Sequence, residues 1–240
     1  MGGSTNKFTF KNVLIPFRDF LYPPVCMTCE KILENGNERV CAVCWSSFLP
    51  FKEHDPVWEE LQSRFAEAGA VKSFLSCFYF DKDGKIQHVI HLLKYGGVKS
   101  IGIRFGHEIG KRIVRHPILS SADLLIPIPL HKLKERDRGY NQSECICRGI
   151  SDVAGIPTAQ SMMRRVKFTE TQTQLNIVER KVNVEDAFEI TPRFRDHLQG
   201  KRIIIVDDVI TTGSTINACA QALLAGGASS VYAASAAVTK

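Results

Sequence analysis

The chain of 240 residues is predicted to be an α/β protein with a mainly parallel sheet, preceded by a small cysteine-rich module. Two observations support this fold class. Between residue 74 and the C-terminus, apolar runs of strand length alternate with segments of helical periodicity. Near the N-terminus, four cysteines lie in two closely spaced pairs. We therefore divide the chain into a cysteine module at 15–54, a helical linker at 55–72 and a main domain at 73–240.

The alternation of strands and helices can be followed along the main domain. Residues 74–80 are apolar and aromatic, which indicates a strand, and DKDG at 81–84 is typical of a turn. Ile86, Val89, Ile90 and Leu93 then recur at the spacing of an amphipathic helix, and a second helix is predicted at 99–115. Further strands are predicted at 123–128, 162–168, 203–206 and 230–236, a helix at 175–184, and extended chain at 187–190.

The cysteine module has the spacing of a metal site. Cys26 and Cys29 form one C-x2-C pair, and Cys41 and Cys44 form another after eleven intervening residues. Each pair can turn both sulfurs toward one point, so that two pairs give the tetrahedral sulfur set that zinc prefers. We interpret the module as a zinc ribbon in which zinc is structural, because four cysteine ligands leave no open position for catalysis. The alternatives are a redox pair and a site that has lost its metal.

The most informative segment is IIIVDDVITTGST at 203–215. Its acid pair, Asp207 and Asp208, follows a strand-like run. A strand that passes through a polar loop into a helix N-terminus can bind a phosphate through free backbone N–H groups. Carboxylates there would repel a phosphate unless they accepted hydrogen bonds from a sugar diol, so the segment predicts a ribose 5-phosphate site. Its hydroxyl loop consists of Thr211, Thr212, Gly213, Ser214 and Thr215.

Two simpler interpretations of this segment stay open. It could be a structural turn whose acids are solvated, or a magnesium site built on the acid pair.

Two basic segments also follow predicted strands, where ligands bind in open sheets of this kind. The first contains four cations, and its arginines can hold a diphosphate with paired N–H donors. The second, at 164–183, is polar and basic and could cover the site as a hood. An ordinary solvated surface is the alternative for each segment. The first segment comprises Lys132, Lys134, Arg136 and Arg138, then Gly139, Tyr140, Asn141 and Gln142.

The overall composition limits the class of partner and the location. A formal net charge of +6 favours anionic partners, either phosphate metabolites or nucleic acid. The sequence contains no run of eighteen apolar residues, so membrane insertion is not expected. The N-terminal MGGSTNKFTF lacks the apolar core of a signal peptide, and a cytoplasmic protein is predicted.

Residues 203–215 resemble the phosphoribosyl diphosphate (PRPP) loop of type I phosphoribosyltransferases. In that family, the paired acids bind the 2- and 3-hydroxyls of the ribose and the hydroxyl loop wraps the 5-phosphate. The resemblance implies that the sheet of residues 73–240 is of the type I phosphoribosyltransferase kind.

Nearly the whole chain resembles the ComF/GntX family of competence-associated proteins. The resemblance rests on the double Cys-x-x-Cys module, HLLKYGG, PIPLHKLKERDRGYNQSE, TQTQLNIVERKVNVEDAF and the PRPP loop, with Tyr140 where phenylalanine is common. It implies a phosphoribosyltransferase-like protein that acts in DNA uptake and natural transformation. The implied partners are single-stranded DNA and a competence helicase.

The resemblance also implies a ligand site for PRPP or a related ribose phosphate, with magnesium bridging the diphosphate oxygens. No residue stands out as a catalytic base, and four histidines are candidates by residue type alone: His88, His91, His107 and His131. The implied ligand-binding residues are Asp207, Asp208, Thr211, Thr212, Gly213, Ser214, Thr215, Arg136, Arg138, Gly139, Tyr140, Asn141, Gln142 and Lys94.

Three functions fit this sequence. The first is a binding module for PRPP that serves DNA uptake. The second is an active phosphoribosyltransferase that uses an unidentified small acceptor. The third is a zinc-ribbon nucleic-acid binder with a decayed domain, which would not bind PRPP at all. Release of diphosphate from PRPP separates the second from the first.

Overall fold

The computed structural model describes residues 23–34, 38–166 and 187–240. The chain divides into two compact units between Ser47 and Phe48, whereas the sequence places the boundary after residue 54. The reason is aromatic packing within the second unit. The ring of Phe48 lies 5.4 Å from that of Phe78, and Phe51 lies 5.1 Å from Tyr79.

The first unit is small and contains little regular structure in its described part. Its helix α1 spans Ala42–Ser46, and Val25 forms an isolated antiparallel bridge with Ile32. Cys26 and Val40 are buried. A unit of this size has too little apolar core to account for its stability, so a cross-link or a metal is expected to contribute.

The second unit alternates strands and helices much as predicted. In chain order its elements are α2 (Pro56–Ala68), β1 (Phe74–Phe80), α3 (Lys85–Tyr95), α4 (Lys99–Arg115), β2 (Leu124–Pro127), α5 (Lys132–Arg138), α6 (Gln142–Ala154), β3 (Met163–Arg165), β4 (Phe188–Ile190), β5 (Arg202–Ile210), α7 (Ser214–Ala225) and β6 (Ser230–Thr239), with 3₁₀ helices at Leu119–Ser121 and Pro192–Leu198. The helix predicted at 175–184 lies outside the described residues.

Helix α2 occupies most of the predicted linker. Asp55 caps its N-terminus by accepting a hydrogen bond from the Trp58 N–H at 2.9 Å, and Gly69 ends it in the left-handed conformation. Leu61 and Phe65 on this helix are buried in the core of the second unit. An apolar stripe that is buried in this way makes α2 part of that unit, so the helix is not a free linker.

Four parallel strands in the order β1-β6-β5-β2 form the main sheet of the described residues. Ile203 and Ile205 on β5 pack in one cluster with Ile216 of α7. Because side chains alternate along a strand, the equally buried Ile204 points to the opposite face, where α4 and α6 pack. The result is a sheet between two helical layers, as expected for α/β folds.

The four strands end at the same edge of the sheet. Strand β2 stops at Pro127, opposite Val206, whereas β5 continues to Ile210 beside β6. Beyond Val206 one edge of β5 is therefore not paired with β2. Strands β3 and β4 form a separate antiparallel pair near this edge. No helix of the described residues combines the length and the hydropathy needed to cross a membrane.

Candidate functional site

The acid pair lies within β5, although the sequence places it just after the strand. Asp207 pairs in register with Ser235 of β6, so the strand continues through both carboxylates. Each carboxylate accepts a hydrogen bond from the next backbone N–H: Asp208 N donates to Asp207 at 2.8 Å, and Val209 N donates to Asp208 at 3.0 Å. These bonds fix both side chains before any ligand arrives.

The two acids differ in their surroundings. Asp208 is buried, and its Oδ2 lies 2.6 Å from Nζ of Lys94. Asp207 keeps some exposed surface, although protein atoms surround its carboxylate, which accepts a 3.4 Å hydrogen bond from Ser143 Oγ. Burial, together with the charge of Asp208, raises the pKa of Asp207 to about 7, and Lys94 opposes that shift.

The hydroxyl loop joins β5 to the N-terminus of α7. Gly213 stands at the cap position with φ 77° and has no side chain to cap α7, and of the first-turn N–H groups Ser214 N donates to Thr212 Oγ1 at a long 3.4 Å. Thr212 Oγ1 and Ser214 Oγ lie 3.0 Å apart. Thr211, Thr212, Ser214 and Thr215 are exposed or half-buried. Accessible hydroxyls and the N–H groups of a helix N-terminus are the donors that a phosphate needs.

Gly213 cannot be replaced without disturbing this loop. A Cβ built there would lie 2.7 Å from a ring carbon of Phe65. The left-handed φ adds backbone strain for any other residue. Helix α2, which carries Phe65, therefore supports the loop from beneath.

The first basic segment forms a short helix that the sequence analysis did not predict. This helix, α5, ends at Arg138, and Gly139 follows it with φ 73°. Arg138 donates to Gln142 Oε1 at 2.8 Å and to the hydroxyl of Tyr95 at 3.3 Å, and its guanidinium lies over the Tyr95 ring. Arg136 is exposed and makes no hydrogen bond or ion pair with another described residue.

Tyr140, Asn141 and Gln142 have structural contacts. The Tyr140 hydroxyl donates to the carbonyl of Leu93. Asn141 is buried; its amide donates to the carbonyl of Ile128 at 2.9 Å, and its oxygen accepts from Ser143 N, which caps α6. These bonds tie α6 to the ends of α3 and β2.

The structure adds two cations that the predicted site did not include. Burial lowers the pKa of Lys134, and so do the charges of Arg165, Arg138 and Lys94. Burial also lowers the pKa of Arg165, and the charge of Asp207 partly offsets this lowering. Four cations therefore lie close enough to influence one another, beside the acid pair. Lys134 is four residues from Arg138, so a helical interpretation of the segment would have placed both on one face.

None of the four candidate histidines lies with the acid pair. His88 and His91 are exposed on α3, and His107 lies 3.5 Å from the carboxylate of Asp152 on the surface. His131 caps α5, because its Nδ1 accepts from Leu133 N at 3.3 Å. The positions of His88, His91 and His107 give no support for a histidine base, whereas His131 lines a cavity at the end of β2.

The four cysteines of the first unit are gathered around one point. Their Sγ atoms all lie within 4.8 Å of one another, and Cys29 and Cys41 are 3.8 Å apart. A tetrahedral site with Zn–S bonds of about 2.3 Å requires S···S distances of about 3.8 Å. Cys26 also accepts from Cys41 N at 3.3 Å. The cluster therefore fits a closed, structural zinc site.

Comparison with known proteins agrees with both units. The double zinc ribbon domain matches residues 17–57, and the phosphoribosyl transferase domain matches residues 132–238. The chain is 36% identical over 233 residues to DNA utilization protein YhgH of Escherichia coli O157:H7, covering 87% of this chain and 94% of the relative. This chain belongs to the ComF/YhgH family.

Two further relatives of the ComF/YhgH family are named for competence. Competence protein ComFC of Bacillus subtilis is 32% identical over 218 residues, covering 87% of this chain and 82% of the relative. Competence protein F of Haemophilus influenzae is 26% identical over 200 residues, covering 80% of this chain and 81% of the relative. The predicted family is confirmed, and so is the fold: a phosphoribosyltransferase-type parallel sheet preceded by a zinc ribbon.

Proposed function

We propose that this ComF-family chain binds PRPP together with magnesium and acts in DNA uptake during natural transformation. The names of its relatives, which refer to competence and to DNA utilization, support the biological role. One arrangement of side chains supports PRPP as the ligand. The acid pair is followed directly by the hydroxyl loop, and its partner Lys94 is close enough to Lys134 to lower the pKa of Lys134, as Arg138 also does, so that groups for the 5-phosphate, the sugar and the diphosphate of PRPP adjoin one another.

Each part of PRPP has a matching group in this arrangement. The ribose hydroxyls donate hydrogen bonds to the carboxylates of Asp207 and Asp208. The 5-phosphate accepts from the hydroxyl loop and from the first N–H groups of α7. The diphosphate is attracted by the cations, whose mutual repulsion and burial make an anion a favourable partner. Lys94 holds the Asp208 carboxylate in place through their 2.6 Å ion pair.

Magnesium fits the same donors in part. It prefers carboxylate and phosphate oxygens, so Asp207 and the diphosphate are suitable ligands, while Lys94 competes for Asp208. When bound, the ion would neutralise charge on the diphosphate. The residues of this chain orient the sugar and hold the anionic groups on either side of it.

Calorimetric titration of PRPP with magnesium tests the ligand. We expect binding to the wild type and its loss in the Asp207→Asn/Asp208→Asn variant, because an amide cannot replace the ionised acceptors. Asp196→Asn, an exposed acid on the 3₁₀ helix Pro192–Leu198, is the control that should bind as the wild type does. Absence of binding to the wild type would refute the proposal.

Catalysis is the second candidate function, in which the site transfers phosphoribose to an acceptor. The preformed acid pair and the cations favour it, because loss of diphosphate from C1 needs stabilising charges more than covalent chemistry. Release of diphosphate from PRPP, measured with nucleobases and with DNA, separates the candidates. Binding without release in any mixture would identify a binding module.

Single-stranded DNA is the proposed macromolecular partner. The net charge of +6 favours a polyanion. Tyr95 is 63% exposed, and Arg138 lies over its ring, so the pair offers a platform on which a base can stack. We expect affinity to fall steeply with salt, Tyr95→Ala to weaken binding and Tyr95→Phe to preserve it. Affinity that does not change with salt would contradict this part of the proposal.

A competence helicase partner and a cytoplasmic location complete the proposal. The family resemblance supports the helicase. A reducing compartment supports the location, because the four cysteine ligands of the zinc site must stay reduced. Co-purification of a helicase with the tagged chain, and fractionation of cells, test these two parts.

A further inference from the structure

A second cavity lies at the end of β2 and is not explained by the PRPP proposal. This β2 pocket has a volume of about 480 Å³, within the range of small-molecule sites. It lies between the start of α5, the start of α6 and the β3–β4 pair. No residue of the acid pair or of the hydroxyl loop lines this pocket. It is therefore a separate space from the proposed ribose-phosphate site.

The β2 pocket is nevertheless next to the acid pair. Arg165 lines the pocket, and its charge interacts with that of Asp207. Asn141 also lines the pocket and caps α6, whose Ser143 hydroxyl bonds Asp207 at 3.4 Å. A molecule in this pocket would lie beside a ribose held by the acid pair, where an acceptor has to be.

The charged side chains that line the pocket indicate which kind of acceptor it can bind. Arg164 is neutralised by Glu189, at 2.7 Å. The other charged residues that line the pocket, among those described, are three cations and two carboxylates. The cations are Lys132, Arg165 and Arg193, and the carboxylates are Glu135 and Glu144. Three cations against two carboxylates leave one positive charge, which suits one carboxylate better than a doubly charged phosphate.

Two arginines are also held in place for such a group. The guanidinium of Arg165 lies 5.4 Å from the centre of the Phe188 ring, and that of Arg193 lies 4.7 Å from the Phe194 ring. Stacking on an aromatic ring limits the motion of a guanidinium and so reduces the entropy lost when it binds a carboxylate. Lys132 and Arg193 form no ion pair with a described residue.

We propose that the β2 pocket binds a small acceptor that carries one carboxylate, at a position beside the C1 atom of PRPP. The position relative to C1 rests on the proposed PRPP site, whereas the binding of a carboxylate rests on the pocket alone. The carboxylate contacts Arg165 and Arg193, and the remainder of the acceptor faces the acid pair.

The test uses two matched pairs of probes, nicotinate against nicotinamide and orotate against uracil. In each pair the ring is kept and the carboxylate is replaced or removed. Affinities are measured by ligand-detected NMR on the full zinc-loaded chain, with and without PRPP and magnesium. We expect each carboxylate to bind at least about tenfold more tightly than its neutral partner, the size of a charge-assisted hydrogen bond.

Variants identify the residues responsible. Arg193→Ala and Arg165→Ala should each weaken carboxylate binding about tenfold. Arg195→Ala is the matched control, because Arg195 lies exposed on the same 3₁₀ helix and does not line the pocket. Arg193 is exposed, so its variant remains informative if Arg165→Ala fails to fold.

The outcomes separate the two proposals. Arginine-dependent carboxylate binding without any PRPP binding would keep the pocket and refute the PRPP site. A second result would overturn the pocket proposal and leave the PRPP site intact. In that result PRPP binds, but the two members of each probe pair bind equally or not at all. Unchanged carboxylate affinity in both arginine variants would also overturn it.

Discussion

Asp207 gives the molecule a pH-dependent site at the scale of a single residue. Its pKa of about 7 in the folded chain lies above the ordinary value of 3.8, because of burial and the neighbouring Asp208. Between these two values the folded state holds a proton that the unfolded state has lost. Asp207 therefore stabilises the fold at low pH, and this contribution disappears as the pH rises through about 7.

Ligand binding should have the opposite pH dependence, since a ribose diol needs an ionised acceptor. We expect the affinity for PRPP with magnesium to fall about tenfold for each pH unit below about 7. Calorimetry on the wild type between pH 5.5 and 8.5 measures this, and a separate pH titration of PRPP with magnesium corrects for protonation of PRPP itself. A corrected affinity that does not change below about pH 7 would show that Asp207 is not the titrating group.

Gly213→Ala should damage the hydroxyl loop through two separate effects. The left-handed backbone strains any L-residue, and the new Cβ collides with the Phe65 ring. Gly200→Ala is the matched control, since Gly200 has φ +69° but nothing within 4 Å of its Cβ position. We expect Gly213→Ala to lower the free energy of unfolding by about 1–3 kcal/mol more than the control and to weaken PRPP binding. Equal melting temperatures would exclude the collision.

At the scale of elements, α4 and α6 approach each other through glycines. A Cβ on Gly106 would lie 2.7 Å from Gly149 Cα and closer still to the carbonyl oxygen of Ile146. Because these atoms belong to the backbone, they cannot move aside as a flexible side chain does. The packing of α4 therefore fixes the position of α6, whose Ser143 hydrogen-bonds both Asn141 and Asp207.

Gly106→Ala should consequently affect a site that it does not touch. We expect a loss of about 2–4 kcal/mol of unfolding free energy and weaker PRPP binding, because α6 must shift. Urea denaturation and calorimetry measure the two effects. Arg115→Ala, an exposed position on the same helix, should change neither. Normal PRPP affinity in a destabilised Gly106→Ala protein would show that the site does not depend on this packing.

Periodicity predicted the elements with a clear apolar pattern and missed those without one. Helix α3 starts within one residue of the predicted Ile86, because four of its residues are buried at helical spacing. Helix α5 has no buried residue, so its sequence gives no apolar period. Strand β5 extends through Asp207 and Asp208 because β6 pairs with it up to Ile210, and a single sequence does not show that pairing.

At the scale of the whole molecule, the site depends on chain segments far apart in sequence. The sequence motifs predicted the acid pair, the hydroxyl loop and Arg138 as site residues. Lys134 and Arg165 were missed as site residues because their proximity depends on the ends of β2 and β3 meeting at the sheet edge. Contacts of this kind follow from topology, which local patterns do not encode.

The division into two units predicts that zinc and PRPP bind independently. The four cysteines lie before the division at Ser47, and every residue of the proposed PRPP site lies after it. Because the first unit has little core, its folding energy should come mainly from the metal. We expect about one zinc per chain, loss of this zinc in Cys29→Ser/Cys41→Ser, and unchanged PRPP affinity in that variant.

Atomic absorption for zinc and calorimetry for PRPP measure the two properties on the same samples. Cys145→Ser is the control, because this thiol lies outside the four-cysteine cluster and is only partly buried. Zinc retained in the double variant would place the metal elsewhere in the chain. Loss of PRPP binding together with zinc would show that the ribbon supports the second unit, so the two sites would then be coupled through folding rather than independent.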